Sequence, residues 1–271
     1  MWGRTLLGEK LMQFGQVKEK IQECFHGLEG NQSIYVSTPD GEIALHADQP
    51  VSSASIIKIA ILVEALRQVD NEQLTIDQVV QIDNVNYVGG AGVINHLSRD
   101  YQWKLADLLK LMIISSDNTA TNQLIDLVGE HNINHTMKAA GAFHSKLMRR
   151  MMDRDALKSG LDNMVSGKDT YLLLREFVTQ HLLSQSSMEW GVEVLLQQQF
   201  KDKFPSKISS IKENLLAHKT GELNGVEHDA GILFTSNGPV VYAFLTAGLL
   251  ENRYGREAIA NAGRLLYDFY K

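Results

Sequence analysis

The chain has 271 residues, enough for one large domain or two interleaved ones around a substantial core. Apolar residues make up 44% and charged residues 21%, the balance of a globular protein, and no stretch approaches the ~20 continuous apolar residues of a membrane span. A formal net charge of -6 with no block of lysine or arginine offers nothing to a phosphate backbone, which argues against a nucleic-acid partner and for small-molecule chemistry.

The opening residues, Met1 to Lys10, mix charges into their apolar run and lack the small-residue cleavage site of a secretory signal. As written, the sequence predicts a cytoplasmic protein, or a secreted one if the natural start was trimmed. Leu11, Phe14, Val17, Ile21 and Phe25 recur at steps of three and four, which predicts a helix from about Leu6 to Leu28 with one face buried on a sheet. Cys24 is the only cysteine, so neither an internal disulfide nor a multi-cysteine metal site is expected.

Two strands, Ser33 to Val36 and Glu42 to Leu45, flank Pro39, Asp40 and Gly41, whose fixed and permissive backbone angles predict a hairpin turn. Helical patterns follow at Ser55 to Gln68, Leu105 to Ile114, Asn118 to Val128, Thr170 to Leu183 and Met188 to Gln199. Strand character returns at Leu215 to Thr220, Ala230 to Thr235 and Val240 to Leu245, before a last helix from about Tyr254 to Tyr270. Strands at both ends with helices between them predict an α/β (α+β) fold. In it an antiparallel sheet from residues 1–54 and 205–271 is flanked by the terminal helices, and an all-α domain, 55–204, is inserted. The active site is expected in the cleft between the two parts.

Three motifs carry candidate chemistry. Ser55 and Lys58 sit three apart at the start of an apolar helical run, hence on one helix face. Serine attacks only after losing its proton, and a lysine amine accepts one when apolar surroundings and a second cation push it towards neutrality. A helix start also points backbone N–H groups towards an oxyanion beside the serine. Read alone, Ser55 equally suits a helix cap and Lys58 a solvated charge. Ser116, Asp117 and Asn118 fall between two helical patterns, where such residues are ordinary caps. Lys219, Thr220 and Gly221 close a strand pattern ahead of Asn224 and Gly225. Together, in this order and on these elements, the three motifs form a set that chance rarely assembles.

The set resembles the penicillin-recognising serine hydrolases, marked by Ser-x-x-Lys, Ser-Asp-Asn and Lys-Thr-Gly, and over nearly its whole length the chain looks most like class A β-lactamases. The resemblance implies an acyl-enzyme mechanism on β-lactam amide bonds. Ser55 would be the acylated nucleophile and Lys58 its base. Ser116 would pass a proton to the leaving nitrogen, and Asn118 would hold the substrate's amide side chain. Lys219, Thr220 and Gly221 would bind the substrate carboxylate, and the backbone N–H groups of Ser55 and Glu222 would form the oxyanion hole. Like-charge repulsion from Lys219 would help keep Lys58 neutral. The resemblance implies neither metal nor organic cofactor; a monomer is expected, although nothing in the sequence fixes the oligomeric state.

One position departs from the family pattern. Matching Leu147 and Arg149 to the family's Leu-x-Arg puts Met151 where a glutamate activates the deacylating water. A thioether takes no proton. Asp153 or Asp155 would have to stand in, or the acyl-enzyme would be released slowly, as in a penicillin-binding-protein-like peptidase or esterase. A non-catalytic ligand-binding homologue is a further alternative, against which the intact Ser55, Lys58, Ser116 and Lys219 set argues.

Other features are read structurally. His228 and Asp229 are neighbours on a strand pattern and point to opposite faces, which disfavours a Ser-His-Asp triad. His131 and His135 are four apart, but Asn132 stands where a zinc helix needs glutamate. Gly89 to Gly92 is followed by no Gly-Lys-Ser or Gly-Lys-Thr, so it reads as a flexible loop edging the cleft. Met148, Met151, Met152 and Met164 read as packing residues.

Overall fold

The computed structural model describes residues 3–209, 211 and 215–271, with side chains from residue 14 onward. Helix α1 spans Gly3–Phe25, and of its predicted apolar stripe Phe14, Ile21 and Phe25 are buried, while Leu11 lies outside the described side chains. Strands β1 (Asn31–Thr38) and β2 (Gly41–Leu45) form the expected hairpin, its turn at Pro39 and Asp40. The two-residue strand β3 (Val51–Ser52) leads to a 3-10 turn, Ala54–Ile57, and then α2 (Lys58–Asp70). A run of Ile59 to Leu66 leaves α2 with hardly a polar face, and this helix is buried all round.

Short strands β4 (Val79–Val80) and β5 (Trp103–Lys104) pair ahead of α3 (Leu105–Ile114) and α4 (Asn118–Val128), the last two matching their sequence patterns. Helices α5 (Glu130–Ala139) and α6 (Arg154–Lys158) carry too short a pattern to stand out in the sequence. Strand β6 (Met164–Val165) pairs with β3. Helix α7 (Gly167–Arg175) starts earlier and ends sooner than its periodicity suggests. The Ser166 hydroxyl caps it through Asp169 N, and buried Glu176 then accepts the amide of Leu182, which turns the chain. Helix α8 (Gln185–Leu196) is capped in the same way by Ser184.

The chain ends with β7 (Leu216–Leu223), β8 (Val226–Thr235), β9 (Gly238–Ala247) and α9 (Asn252–Tyr270). The sheet runs β2-β1-β9-β8-β7, antiparallel throughout, so the N-terminal hairpin joins the C-terminal meander. Strand β9 shows why this sheet is central. Val241, Ala243 and Leu245 face a core shared with α2, α3 and α4, whereas Val240, Tyr242 and Phe244 face a second core under α1 and α9. Alternating residues are thus buried on both sides, as a strand between two helical layers requires. The fold is the expected mixed arrangement of helices around an antiparallel sheet.

Candidate active site

Ser55 sits in the 3-10 turn and not in the helix proper, which begins at Lys58. The turn is forced by Ala54, which adopts a left-handed φ of 43°, and by Ser53, whose amide bonds Asn163 O at 2.7 Å. A non-glycine residue in that region costs of order 1–3 kcal/mol, a strain that fixes the serine against the start of the helix. Ser55 lines two adjoining cavities. One, about 450 Å³, includes Ser116, Lys203, Thr220 and Glu222; the other, about 370 Å³, includes Asn118, Met151, Met152 and Leu223.

Lys58 is fully buried, and its Nζ donates to Ser116 O at 2.7 Å, Ser116 Oγ at 3.0 Å and Asn118 Oδ1 at 3.0 Å. Ser116 Oγ in turn donates to Ser55 Oγ at 2.7 Å. Lys58 therefore reaches Ser55 through the Ser116 hydroxyl; among the described residues no direct Lys58–Ser55 hydrogen bond exists. Burial lowers the Lys58 amine to about 7, against a smaller opposing pull from Asp117. Lys219 approaches from β7, its Nζ 3.2 Å from Ser116 Oγ and 2.7 Å from Thr220 O. Burial, then Lys58 and Lys203, hold its amine well below the usual lysine range.

Ser116 itself has a φ of 56°, a second strained residue in the same site. Asp117 caps α4 through Ala120 N at 2.9 Å, and its other oxygen accepts from Val93 N at 2.6 Å and Ile94 N at 2.8 Å. A Cβ on Gly92, whose φ is 108°, would come within 2.3 Å of that carboxylate. The glycine loop expected to be flexible is thus fastened to the site by a buried carboxylate. It brings Ala91 to the mouth of both cavities and Gly89 O to within 3.1 Å of Asn118 Nδ2.

Beyond Lys219, Thr220 is buried at the first cavity, and a Cβ on Gly221 would press on Ile56 and His228 at 3.2 and 3.1 Å, tighter than ordinary packing. Glu222 is half exposed and lines both cavities. Its carboxylate lies 3.2 Å from Lys203 Nζ and 3.7 Å from Arg256. Lys203 is buried against Glu227 at 3.0 Å, and Glu227 also bonds Arg256 at 2.9 Å. Nothing in the spacing of Lys203, Glu227 and Arg256, which come from a loop, a strand and a helix, joins them in the sequence.

The loop between Lys146 and Met164 is closed by their mutual backbone bridge and by the Arg149–Asp162 ion pair, 2.8 Å. Inside it, Met151 N donates to Asn122 Oδ1 at 2.8 Å while Asn122 Nδ2 donates to Met151 O at 3.2 Å. Asn122 was not singled out from sequence, although it stands one helical turn after Asn118 on the same face of α4. This clasp sets the buried Met151 side chain against the second cavity. Asp153 lines that cavity but spends one oxygen capping α6 at Ala156 N. Asp155 faces outwards, its side chain 95% exposed and paired with Lys158, so it does not join the site.

His228 Nε2 bonds Ser52 O at 2.8 Å, and burial lowers its imidazole to about 4. Asp229 turns to the opposite face, where it bonds His218 at 3.0 Å and Tyr242 at 2.9 Å. His131 and His135 lie exposed on α5, and among the described residues no cluster of histidine, cysteine and carboxylate suits a metal.

A short-contact set of serine, lysine and serine in the cleft of this sheet-and-helix fold defines the class of penicillin-recognising serine hydrolases. The chain belongs to the β-lactamase enzyme family, whose profile matches residues 16–270. Among solved structures it is similar to a β-lactamase from Sphaerobacter thermophilus, with 28% identity, TM-score 0.85, and coverage of 93% of this chain and 95% of that one. PBP-A, as a leucine-to-glutamate variant in an acyl-enzyme complex with penicillin G, shares the fold at 23% identity and TM-score 0.83, covering 94% of this chain and 96% of that one. A β-lactamase from Chitinophaga pinensis does so at 20% identity and TM-score 0.85, covering 93% and 98%. No curated protein matches the chain. Among the described residues no helix is long and apolar enough to cross a membrane.

Proposed function

We propose that the protein is a serine hydrolase that acylates itself at Ser55 on β-lactam or closely related amide and ester bonds and releases the acyl group slowly. The observation that carries this reading is the hydrogen-bonded series Ser55, Ser116, Lys58, with Lys219 on the same hydroxyl, opening into a cavity.

In the first step, with Lys58 neutral, the Ser116 hydroxyl turns its hydrogen towards Lys58 Nζ and accepts from Ser55 Oγ; Ser55 Oγ then attacks the carbonyl carbon as its proton passes to Ser116 and that of Ser116 to Lys58. The backbone N–H groups of Ser55 and Glu222 hold the oxyanion. When the C–N bond breaks, the proton returns through Ser116 to the leaving nitrogen, which leaves an ester on Ser55 and a neutral Lys58. Asn118 Nδ2 serves the amide on the acyl side, and Lys219 with Thr220 and Gly221 serves the leaving-group side.

Hydrolysis of that ester needs a base beside it, and the Met151 side chain has no proton-accepting group. Of the two carboxylates of this loop that line the cavity, Asp162 is taken up by Arg149 and Ser52 Oγ, and Asp153 has one oxygen already committed to a cap. This favours slow release of the kind a penicillin-binding protein shows. Intact-mass measurement with a chromogenic cephalosporin tests the reading: a lasting adduct on the wild type and none on Ser55→Ala is expected. Rapid turnover without an adduct would overturn slow release, and an adduct on Ser55→Ala would overturn the nucleophile.

A further inference from the structure

The cavity that holds Ser55 and Thr220 is lined by Lys203, a cation whose charge is already matched. Lys203 is ringed by Glu227 at 3.0 Å, Glu222 at 3.2 Å and Asp202 at 3.5 Å. The same three carboxylates meet Arg256, Glu227 at 2.9 Å and the other two at 3.7 Å. Two cations thus share three carboxylates. Glu227 is wholly buried, but the side chains of Glu222 and Asp202 are half exposed and both line the cavity that holds Ser55 and Thr220. Lys201 stands exposed at the rim. Lys219 is fully buried, and its burial, then the charges of Lys58 and Lys203, disfavour its cationic form.

We infer that the Glu222 side chain is a specificity determinant that occupies, with the protein's own carboxylate, the place where an anionic leaving group would be received. The preferred substrate then carries a neutral or cationic group on the leaving side of the scissile bond, and a carboxylate there is repelled. This rests on the assignment of Ser55 as nucleophile. It separates the two halves of Glu222: the backbone amide serves the reaction, and the side chain selects what reaches it.

The test uses benzylpenicillin and its methyl ester, which differ only in that carboxylate, with second-order acylation of the full chain followed by intact mass. Glu222→Gln should raise the penicillin-to-ester rate ratio about tenfold, the size expected of one like charge in a half-exposed site. Glu222→Asp, which keeps the charge, should leave the ratio near the wild-type value. On the wild type itself, raising the ionic strength should raise the ratio, because salt screens repulsion. A ratio unmoved by Glu222→Gln, or one that falls with salt, overturns this inference alone. Adducts with neither compound overturn the β-lactam reading beneath it and the inference with it.

Discussion

Ser116 Oγ lies 2.7 Å from Ser55 Oγ and stands between that serine and the buried Lys58 amine, 3.0 Å away on its other side. In the proposed mechanism, proton traffic to and from Ser55 therefore depends on one hydroxyl. Ser116→Ala and Lys58→Ala should each lower the acylation rate by about 10²–10⁴, the usual range for loss of a positioned proton carrier. Because the two residues act in one series, the double variant should be little worse than either alone, a departure from additivity that stopped-flow acylation would measure.

The pH dependence of acylation follows from Lys58. Burial brings its amine to about 7, and the neutral form, which accepts the proton, predominates above that value. The acylation rate should fall about tenfold per pH unit well below this point and level off above it. A rate profile flat from pH 5 to pH 9 would remove Lys58 from the role.

Asn122 clasps the backbone of Met151 and turns its side chain to the cavity beside Ser55. Met151→Glu should shorten the lifetime of the acyl-enzyme by at least about 10², as expected when a general base reaches the attacking water. Adding Asn122→Ala should abolish most of that gain, since the clasp positions the new carboxylate. Both effects are read as adduct decay by mass spectrometry.

His228 links β8 to Ser52, and its imidazole is lowered to about 4 from an ordinary value of 6.5. The folded chain binds this proton less readily than the unfolded one, so the stability contributed by the neutral imidazole is fully present above 6.5 and is lost as pH falls towards 4. Over that window the wild type should lose on the order of 3 kcal/mol that His228→Gln does not lose, a difference that urea unfolding at several pH values would reveal.

The loop that holds Met151 is fastened by Arg149 and Asp162, whose side chains are 11% and 23% exposed. Asp162→Ala strips a largely buried guanidinium of its partner and also releases Ser52 Oγ, bonded at 2.5 Å. A stability loss of about 2 kcal/mol or more is expected, measured by the thermal midpoint.

While α5, α6 and the two-residue strands carry too short a pattern to read, the sequence by itself determined the long elements and their order, the helices α3 and α4 residue for residue, and the occurrence of Ser55, Lys58, Ser116 and Lys219 in one motif set. These are local signals of periodicity, capping chemistry and spacing, and they survive folding. Its resemblance to the family also led to the proposal that Met151 stands where the family carries its glutamate. Only the tertiary structure decided how these residues touch. Ser55 lies in a strained 3-10 turn because Asn163, far along the chain, holds Ser53. Lys58 bonds Ser116 and not Ser55, and Asp155 points to solvent while Asp153 lines the cavity. The ion network of Lys203, Glu222, Glu227 and Arg256 joins segments with no shared period. Distances between such residues depend on packing of the whole chain, which no local pattern encodes.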